Sequence, residues 1–147
     1  MTPRYPRKKG KISPLELVRS AATLALDKKA DDVVILDLRQ FSLNCDYFMI
    51  ASGTSDPHVR AIADWIEERL AAQCGEFPWH REGVATARWI LLDYVDVVMH
   101  VFLAEVRETY MLERLWGDAP VERFAPAAPS APGAPLAGRD AQPGDEA

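Results

Sequence analysis

The chain has 147 residues, of which 48% are hydrophobic, and a formal net charge of −5. This length and composition predict one globular domain with a hydrophobic core. Residues 1–11 hold five basic residues and no acidic one, so the rest of the chain has a net charge of −10. Because phosphate repels so acidic a body, the composition excludes a stand-alone nucleic-acid binder and favours a basic protein partner.

The cysteines and the hydropathy pattern indicate the compartment. Cys45 and Cys74 are the two cysteines, and they fall in different predicted elements, which indicates free thiols in a reducing environment rather than a disulfide framework. No apolar run reaches the length of a membrane span, and the basic N-terminus leads into no apolar signal segment. We therefore expect a cytoplasmic protein with no membrane partner.

Composition divides the chain into three segments. Residues 1–12 are basic and predict a flexible arm, which either solubilises the protein or makes a weak contact with a phosphate backbone. Residues 13–120 hold the periodic elements of a single domain. Residues 121–147 are rich in proline, alanine and glycine, and we predict that they form a disordered tail.

The domain begins with a helix and two buried strands. Ser13-Pro14-Leu15-Glu16 combines a capping serine, a first-turn proline and the glutamate of a capping box, which predicts a helix that runs to about Lys29. Residues 33–36 and 47–51 are apolar without alternation, as expected of strands covered on both faces. Two such runs between helices predict an α/β core rather than a helical bundle.

Five further elements complete the predicted fold. Pro78 confines the strand that contains it to the edge of the sheet. The first is a helix with Ser55 or Asp56 as its cap and Gly75 as its terminator. The edge strand, two more strands and a last helix follow, at residues 77–83, 89–92, 97–102 and roughly 104–116. The fold class is therefore α/β, with a mixed sheet of about four to five strands and flanking helices.

Two constellations of residues are candidates for small-ligand sites. The turn Gly53-Thr54-Ser55 precedes a helix and is either a phosphate site or a capping turn, and the absence of a full glycine fingerprint favours the capping turn. His58, His80 and His100 fall in different elements, away from metal spacing with either cysteine. We predict no metal site, no cofactor and no catalytic residue.

Trp89, Asp93 and Tyr94 form the third constellation. Alternation along a strand places Trp89 and Asp93 on one face and Tyr94 on the other. Either Trp89 packs in the core while Asp93 ends the strand, or the group belongs to a protein-binding face anchored by the aromatic ring. For His100, inside an apolar strand, a structural hydrogen bond and a partner contact are both open.

A series of motifs in fixed order carries a family resemblance across most of the domain. They are ADDVV with LD, DYF, IASGTS, HVRAIAD, EG, WILLDY, DVVMHVF and YMLERLW, between residues 30 and 116. Over this range the chain resembles the ribosomal silencing factor family, also called Iojap-related. The two tails lie outside the resemblance.

The resemblance implies a fold like that of the nucleotidyltransferases but without their catalytic carboxylates. It also implies a non-enzymatic translational repressor that binds protein fourteen of the large ribosomal subunit. Bound there, it blocks association with the small subunit and slows translation when nutrients are short. A homodimer is implied as well, and the basic arm becomes a candidate for a weak contact with ribosomal RNA.

The predicted contact residues follow from the resemblance together with the third constellation. Trp89 is the apolar anchor, Asp93 and Tyr94 lie beside it, and His100 is a neighbouring polar contact. Asp93 or Asp96 pairs with basic residues of the partner.

One position departs from the family pattern. Val95 stands where the family usually has glycine. A β-branched residue resists the positive φ that glycine permits, so we expect another type of turn here.

Two rival functions remain open. A large-subunit assembly factor would use the same surface, but on precursor particles. A magnesium-dependent nucleotide-transfer enzyme would need two carboxylates one residue apart on a strand, whereas Asp93 and Asp96 are three apart.

Overall fold

The structure is a computed structural model that describes residues 12–41 and 43–124. The predicted basic arm, apart from residue 12, and the predicted tail beyond residue 124 lie outside the described residues. The helices are α1 (Pro14–Asp27), α2 (Asp56–Cys74), α3 (Ala104–Tyr110) and α4 (Leu112–Leu115), with a short 3-10 turn at Arg39–Phe41. The strands are β1 (Asp31–Asp37), β2 (Tyr47–Gly53), β3 (His80–Glu82), β4 (Trp89–Asp93), β5 (Val97–Leu103) and β6 (Val121–Phe124).

The strands form one mixed sheet in the order β3-β4-β5-β2-β1-β6. Strands β2 and β5 are parallel, and the other neighbouring pairs are antiparallel. The predicted α/β class is confirmed. The predicted count of about four to five strands is too low, because β6 falls in the segment predicted to be the tail.

Strand β6 lies in residues 121–124, which were predicted to belong to the tail. It pairs antiparallel with β1, from Leu36 opposite Val121 to Val33 opposite Phe124. The sequence signal was too weak to predict it, because only four residues precede the proline-rich segment. The exposed edge of β1 supplies the pairing that makes these residues a strand.

The start and stop signals of the long helices act as predicted. At α1, the Glu16 backbone N–H donates to Ser13 Oγ (3.1 Å), and the Ser13 N–H donates to Glu16 Oε1 (2.9 Å). Helix α2 is capped by Ser55 and ends at Gly75, which adopts the left-handed conformation with φ of 67°. These bonds satisfy backbone groups that a helix end leaves unpaired.

The last helix is not continuous as predicted. Met111 has φ of 50° and separates α3 from α4. The break lets Glu113 face back toward α3, where its carboxylate accepts two bonds from the buried Arg107, at 2.6 and 3.0 Å. Arg107 also donates to Ser52 Oγ (2.9 Å) and to the Asp32 carbonyl (2.6 Å), so one guanidinium joins α3 and α4 to the sheet.

The sheet buries its two faces unequally. Helices α1 and α2 pack on one face, where the side chains of Ile90, Leu92 and Met99 are at most 1% exposed. On the opposite face, α3, α4 and Trp116 cover only part of the strands, and Trp89, Leu91 and Asp93 stay half-exposed. The alternation predicted for β4 is therefore confirmed.

Two further sequence predictions concern thiols and membrane spans. Cys45 and Cys74 are both free and half-buried, as predicted. In the part of the chain that the structure describes, no helix combines the length and the apolar character needed to cross a membrane.

Candidate protein-binding face

Trp89 lies half-exposed on the partly covered face, and its orientation is fixed by three neighbours. The indole Nε1–H donates to Nδ1 of His100 at 3.1 Å. The ring centroid lies 4.6 Å from that of Phe102 and 4.8 Å from that of Tyr110. Large aromatic side chains held in this way lose little conformational entropy on binding, which suits an interface anchor.

His100 supports Trp89 from beneath and is itself only 4% exposed. Burial lowers the pKa of its imidazole to about 4, so the ring is neutral at pH 7. Nδ1 accepts the hydrogen bond from the Trp89 indole, so the proton of the neutral imidazole belongs on Nε2. Nε2 is buried without a hydrogen-bond partner among the described residues. The structural hydrogen bond weighed for His100 is therefore present, and its contact with a partner stays a prediction.

A line of aromatic side chains extends from Trp89 across the sheet. Phe48 on β2 meets the His100 ring edge-on at 4.5 Å, Trp116 follows 6.4 Å from Phe48, and Phe41 lies 5.5 Å from Trp116. We call Trp89, His100, Phe48, Trp116 and Phe41 the aromatic band. Edge-to-face pairs of this kind form at ring separations of about 4.5–7 Å.

Three carboxylates border one end of this face. Burial, followed by the nearby negative charges of Asp93, Asp46 and Asp96, raises the pKa of the Cys45 thiol to about 11. These acids cluster around the start of β2 and the turn between β4 and β5, and we call them the acidic rim. Asp93 and Asp96 were predicted to contribute to the site, whereas Asp46 was recognised only as part of a family motif.

The turn between β4 and β5 corrects two predictions. Tyr94 is 4% exposed, so it is buried and not at an exposed rim beside Trp89. Val95 has φ of 76°, the conformation that the sequence analysis expected valine to avoid.

Hydrogen bonds on both sides hold Val95 in this conformation. Its backbone N–H donates to Asp93 Oδ1 at 2.8 Å, and Asp96 N–H donates to the Tyr94 carbonyl at 3.0 Å. The second of these bonds closes a tight γ-turn around Val95, and that type of turn is strained.

The turn before α2 is a capping turn, as predicted. Thr54 N–H donates to His58 Nδ1 at 2.9 Å, and His58 N–H donates to Ser55 Oγ at 3.2 Å. A Cβ atom on Gly53 would lie 2.9 Å from Val59 Cγ2, so the strand and helix approach each other closely here. The chain's own groups thus satisfy the donors that a phosphate would need.

The remaining candidate ligands do not converge. His58, His80 and His100 lie on α2, β3 and β5. Within residues 12–41 and 43–124, no group of three or more histidine, cysteine, aspartate or glutamate side chains is arranged to hold a metal ion.

Phe41, Phe48 and Trp116 belong to the aromatic band but are not among the contact residues predicted from the sequence. They are separated from Trp89 by up to 48 residues of sequence, and local pattern does not bring them together. The parallel register of β2 and β5, with Phe48 opposite Val98, places Phe48 beside His100. The DYF motif held a usable signal. Alternation along β2 places Phe48 on the same strand face as Ile50, and Ile50 is paired with His100.

Comparisons with known proteins are consistent with one family. A family model described as ribosomal silencing factor during starvation matches residues 11–143. The ribosomal silencing factor RsfS of Bacillus subtilis is 45% identical to the chain over 105 residues, which are 71% of this chain and 88% of that protein. A mouse protein named mitochondrial assembly of ribosomal large subunit protein 1 is 32% identical over 96 residues, which are 64% of this chain and 42% of that protein.

Solved structures agree with the sequence comparisons. A crystal structure of a Chromobacterium violaceum protein superposes with a TM-score of 0.70 at 29% identity, covering 82% of this chain and all of that one. A Bacillus halodurans crystal structure gives a TM-score of 0.64 at 39% identity, covering 75% of this chain and 99% of that one. Since the family model spans most of the sequence, the chain belongs to the ribosomal silencing factor family.

Proposed function

We propose that this protein is a translational repressor that binds protein fourteen of the large ribosomal subunit and blocks association with the small subunit. The observation that carries the proposal is the partly covered sheet face, where a hydrogen bond to His100 fixes the orientation of the Trp89 side chain. A protein docked there excludes a second macromolecule by its bulk, because a standard interface covers roughly 800 Å² on each partner. Translation then slows under nutrient limitation, as the family resemblance implies.

The charge of the surface suits a basic ribosomal protein. Residues 12–124 contain 19 acidic and 11 basic residues, a net charge of −8. The acidic rim borders the same sheet face as the aromatic band, so a partner with an apolar patch beside lysines or arginines would match both features. Complementary charge of this kind speeds association and selects among partners.

The proposed mechanism requires no catalysis. Asp93 accepts a backbone hydrogen bond within its own turn, and Asp96 lies three residues further along, on the exposed side of that turn. This pair lacks the same-face arrangement that a two-metal nucleotide-transfer site needs.

The test of the surface is binding of Trp89→Ala to purified large ribosomal subunits. Loss of the anchor should weaken binding by about 2 kcal/mol or more, close to a 30-fold change in Kd. Trp65→Ala is the matched control, because Trp65 lies on α2 and packs against Lys28 and Arg69. A folded Trp89→Ala variant with undiminished binding would show that another face is used.

The test of the mechanism is sucrose-gradient sedimentation of both subunits with the full chain, at low and high magnesium. The protein should shift joined ribosomes toward free subunits and co-sediment with the large one. Normal recovery of joined ribosomes at saturating protein would reject the blocking mechanism. A homodimer stays a prediction, which light scattering of the free protein tests.

An assembly factor is the second candidate, favoured by the name of the mouse relative, which refers to assembly of the mitochondrial large subunit. The two functions differ in the particle that is bound. Co-sedimentation with precursor particles, and not with mature large subunits, would favour assembly over silencing.

A further inference from the structure

A cleft adjoins Trp89 on the side away from the aromatic band. Its volume is about 560 Å³, and it opens between α3 and the chain segment that leads into β4. The lining residues are Thr86, Arg88, Trp89, Glu105, Val106, Thr109 and Tyr110. The cleft is continuous with the proposed docking surface, because Trp89 lines it.

The aromatic walls of the cleft favour a cation. Tyr110 is 57% exposed, and its ring lies 4.8 Å from that of Trp89 at 53°. Two tilted rings present electron-rich faces, and such faces attract guanidinium and ammonium groups and disfavour anions.

The charged walls carry opposite signs. Glu105 on α3 and Arg88 before β4 are both exposed, and in the part of the chain that the structure describes neither takes part in an ion pair. A cation in the cleft would be attracted by Glu105 and repelled by Arg88. The two aromatic rings and the net charge of −8 on residues 12–124 add to the attraction by Glu105, so the cleft favours a cation over an anion.

We infer that this cleft receives an arginine side chain of the basic ribosomal protein, stacked on Trp89 and Tyr110 and paired with Glu105. Arginine fits better than lysine because its planar guanidinium can stack on a ring while donating hydrogen bonds in its own plane to a carboxylate. The inference rests on the proposed function and adds the chemical group that the partner contributes beside the Trp89 anchor.

Because the two walls carry opposite charges, neutralising each of them should change binding in opposite directions. Binding of the full chain to purified large subunits is compared for Glu105→Gln and Arg88→Gln at low and moderate salt. Glu105→Gln should weaken binding by about fivefold, and Arg88→Gln should strengthen it by about twofold, with both effects shrinking as salt rises. Glu108→Gln is the charge-matched control, because Glu108 lies on the same helix outside this cleft and should change binding little.

A third variant tests whether the cleft is entered at all. Thr109→Trp fills the space without changing charge, and Thr109 is exposed, so the fold should persist. We expect it to weaken binding at least as much as Glu105→Gln. Binding equal to wild type would overturn the inference.

The other outcomes separate the inference from the proposed function. Stronger binding of Glu105→Gln with weaker binding of Arg88→Gln would mean that the partner inserts an anion, and no change in either would mean an uncharged group. Both results overturn the arginine while leaving the silencing function intact. Failure of the wild-type chain to bind large subunits would reject the proposed function and this inference together.

Discussion

The two faces of the sheet use the same strands but are stabilised by different means. On one face, two long helices bury a continuous layer of aliphatic side chains. On the other, α3 and α4 total 11 residues and are held to the sheet by the hydrogen bonds of one buried arginine, Arg107. The first face therefore holds most of the aliphatic core, while the second leaves aromatic surface partly exposed, where we propose that the partner binds.

The difference between the faces is tested most strongly by neighbouring leucines in β4. Leu92 is 1% exposed on the helix-covered face, whereas Leu91 is half-exposed on the other. Leu92→Ala should lower the free energy of unfolding by about 3 kcal/mol, since it removes buried contacts and leaves a cavity. Leu91→Ala should cost less than half as much. Equal losses in denaturant unfolding would mean that both faces contribute alike to stability.

The pH dependence of the free energy of unfolding tests the role of His100, whose buried ring accepts the hydrogen bond of Trp89. His100 has a pKa of about 4 in the folded state, below the ordinary 6.5 of the unfolded chain. Between these two pH values the unfolded chain binds more protons than the folded chain. The stability that depends on neutral His100 is therefore fully present above pH 6.5 and is lost as the pH falls toward 4. The slope that His100 contributes can reach about 1.4 kcal/mol per pH unit.

The measurement is urea unfolding from pH 7.5 to pH 4.5 for wild type and His100→Gln. Glutamine does not titrate and can still accept the Trp89 bond through its amide oxygen, so the variant should show a flatter profile. The difference between the two profiles removes the contribution of other groups, such as Glu113, whose pKa is lowered mainly by its bonds with Arg107. Parallel profiles would show that His100 does not titrate differently on folding.

The smallest expected effect concerns the turn that joins the two strands of the site. Val95 has φ of 76°, and a β-branched residue in this region stores strain of about 1 kcal/mol or more. Val95→Gly should therefore raise the free energy of unfolding by about 1 kcal/mol, even though glycine loses more backbone entropy on folding.

The control for Val95→Gly is Val84→Gly. Val84 is half-exposed and is not among the residues with positive φ, so glycine should destabilise the protein at that position. Destabilisation by both substitutions, measured by thermal unfolding, would contradict a strained turn.

Sequence alone determined the features that depend on neighbours in the chain. The capping box at Ser13 and Glu16, the stop at Gly75 and the capping turn before α2 are local hydrogen-bond patterns. The alternation that places Trp89 and Leu92 on opposite faces is a property of any strand. The motifs between residues 30 and 116 were sufficient to indicate the family.

Only the tertiary structure decided the features that depend on distant segments. Strand β6 exists because β1 offers an unpaired edge, and the break at Met111 is accompanied by the bonds between Glu113 and Arg107. The aromatic band joins Phe41, Phe48 and Trp116 to Trp89 through strand register, which short-range periodicity does not specify. The burial of His100 and Tyr94 has the same origin, because a side chain's exposure is set by what packs over its strand.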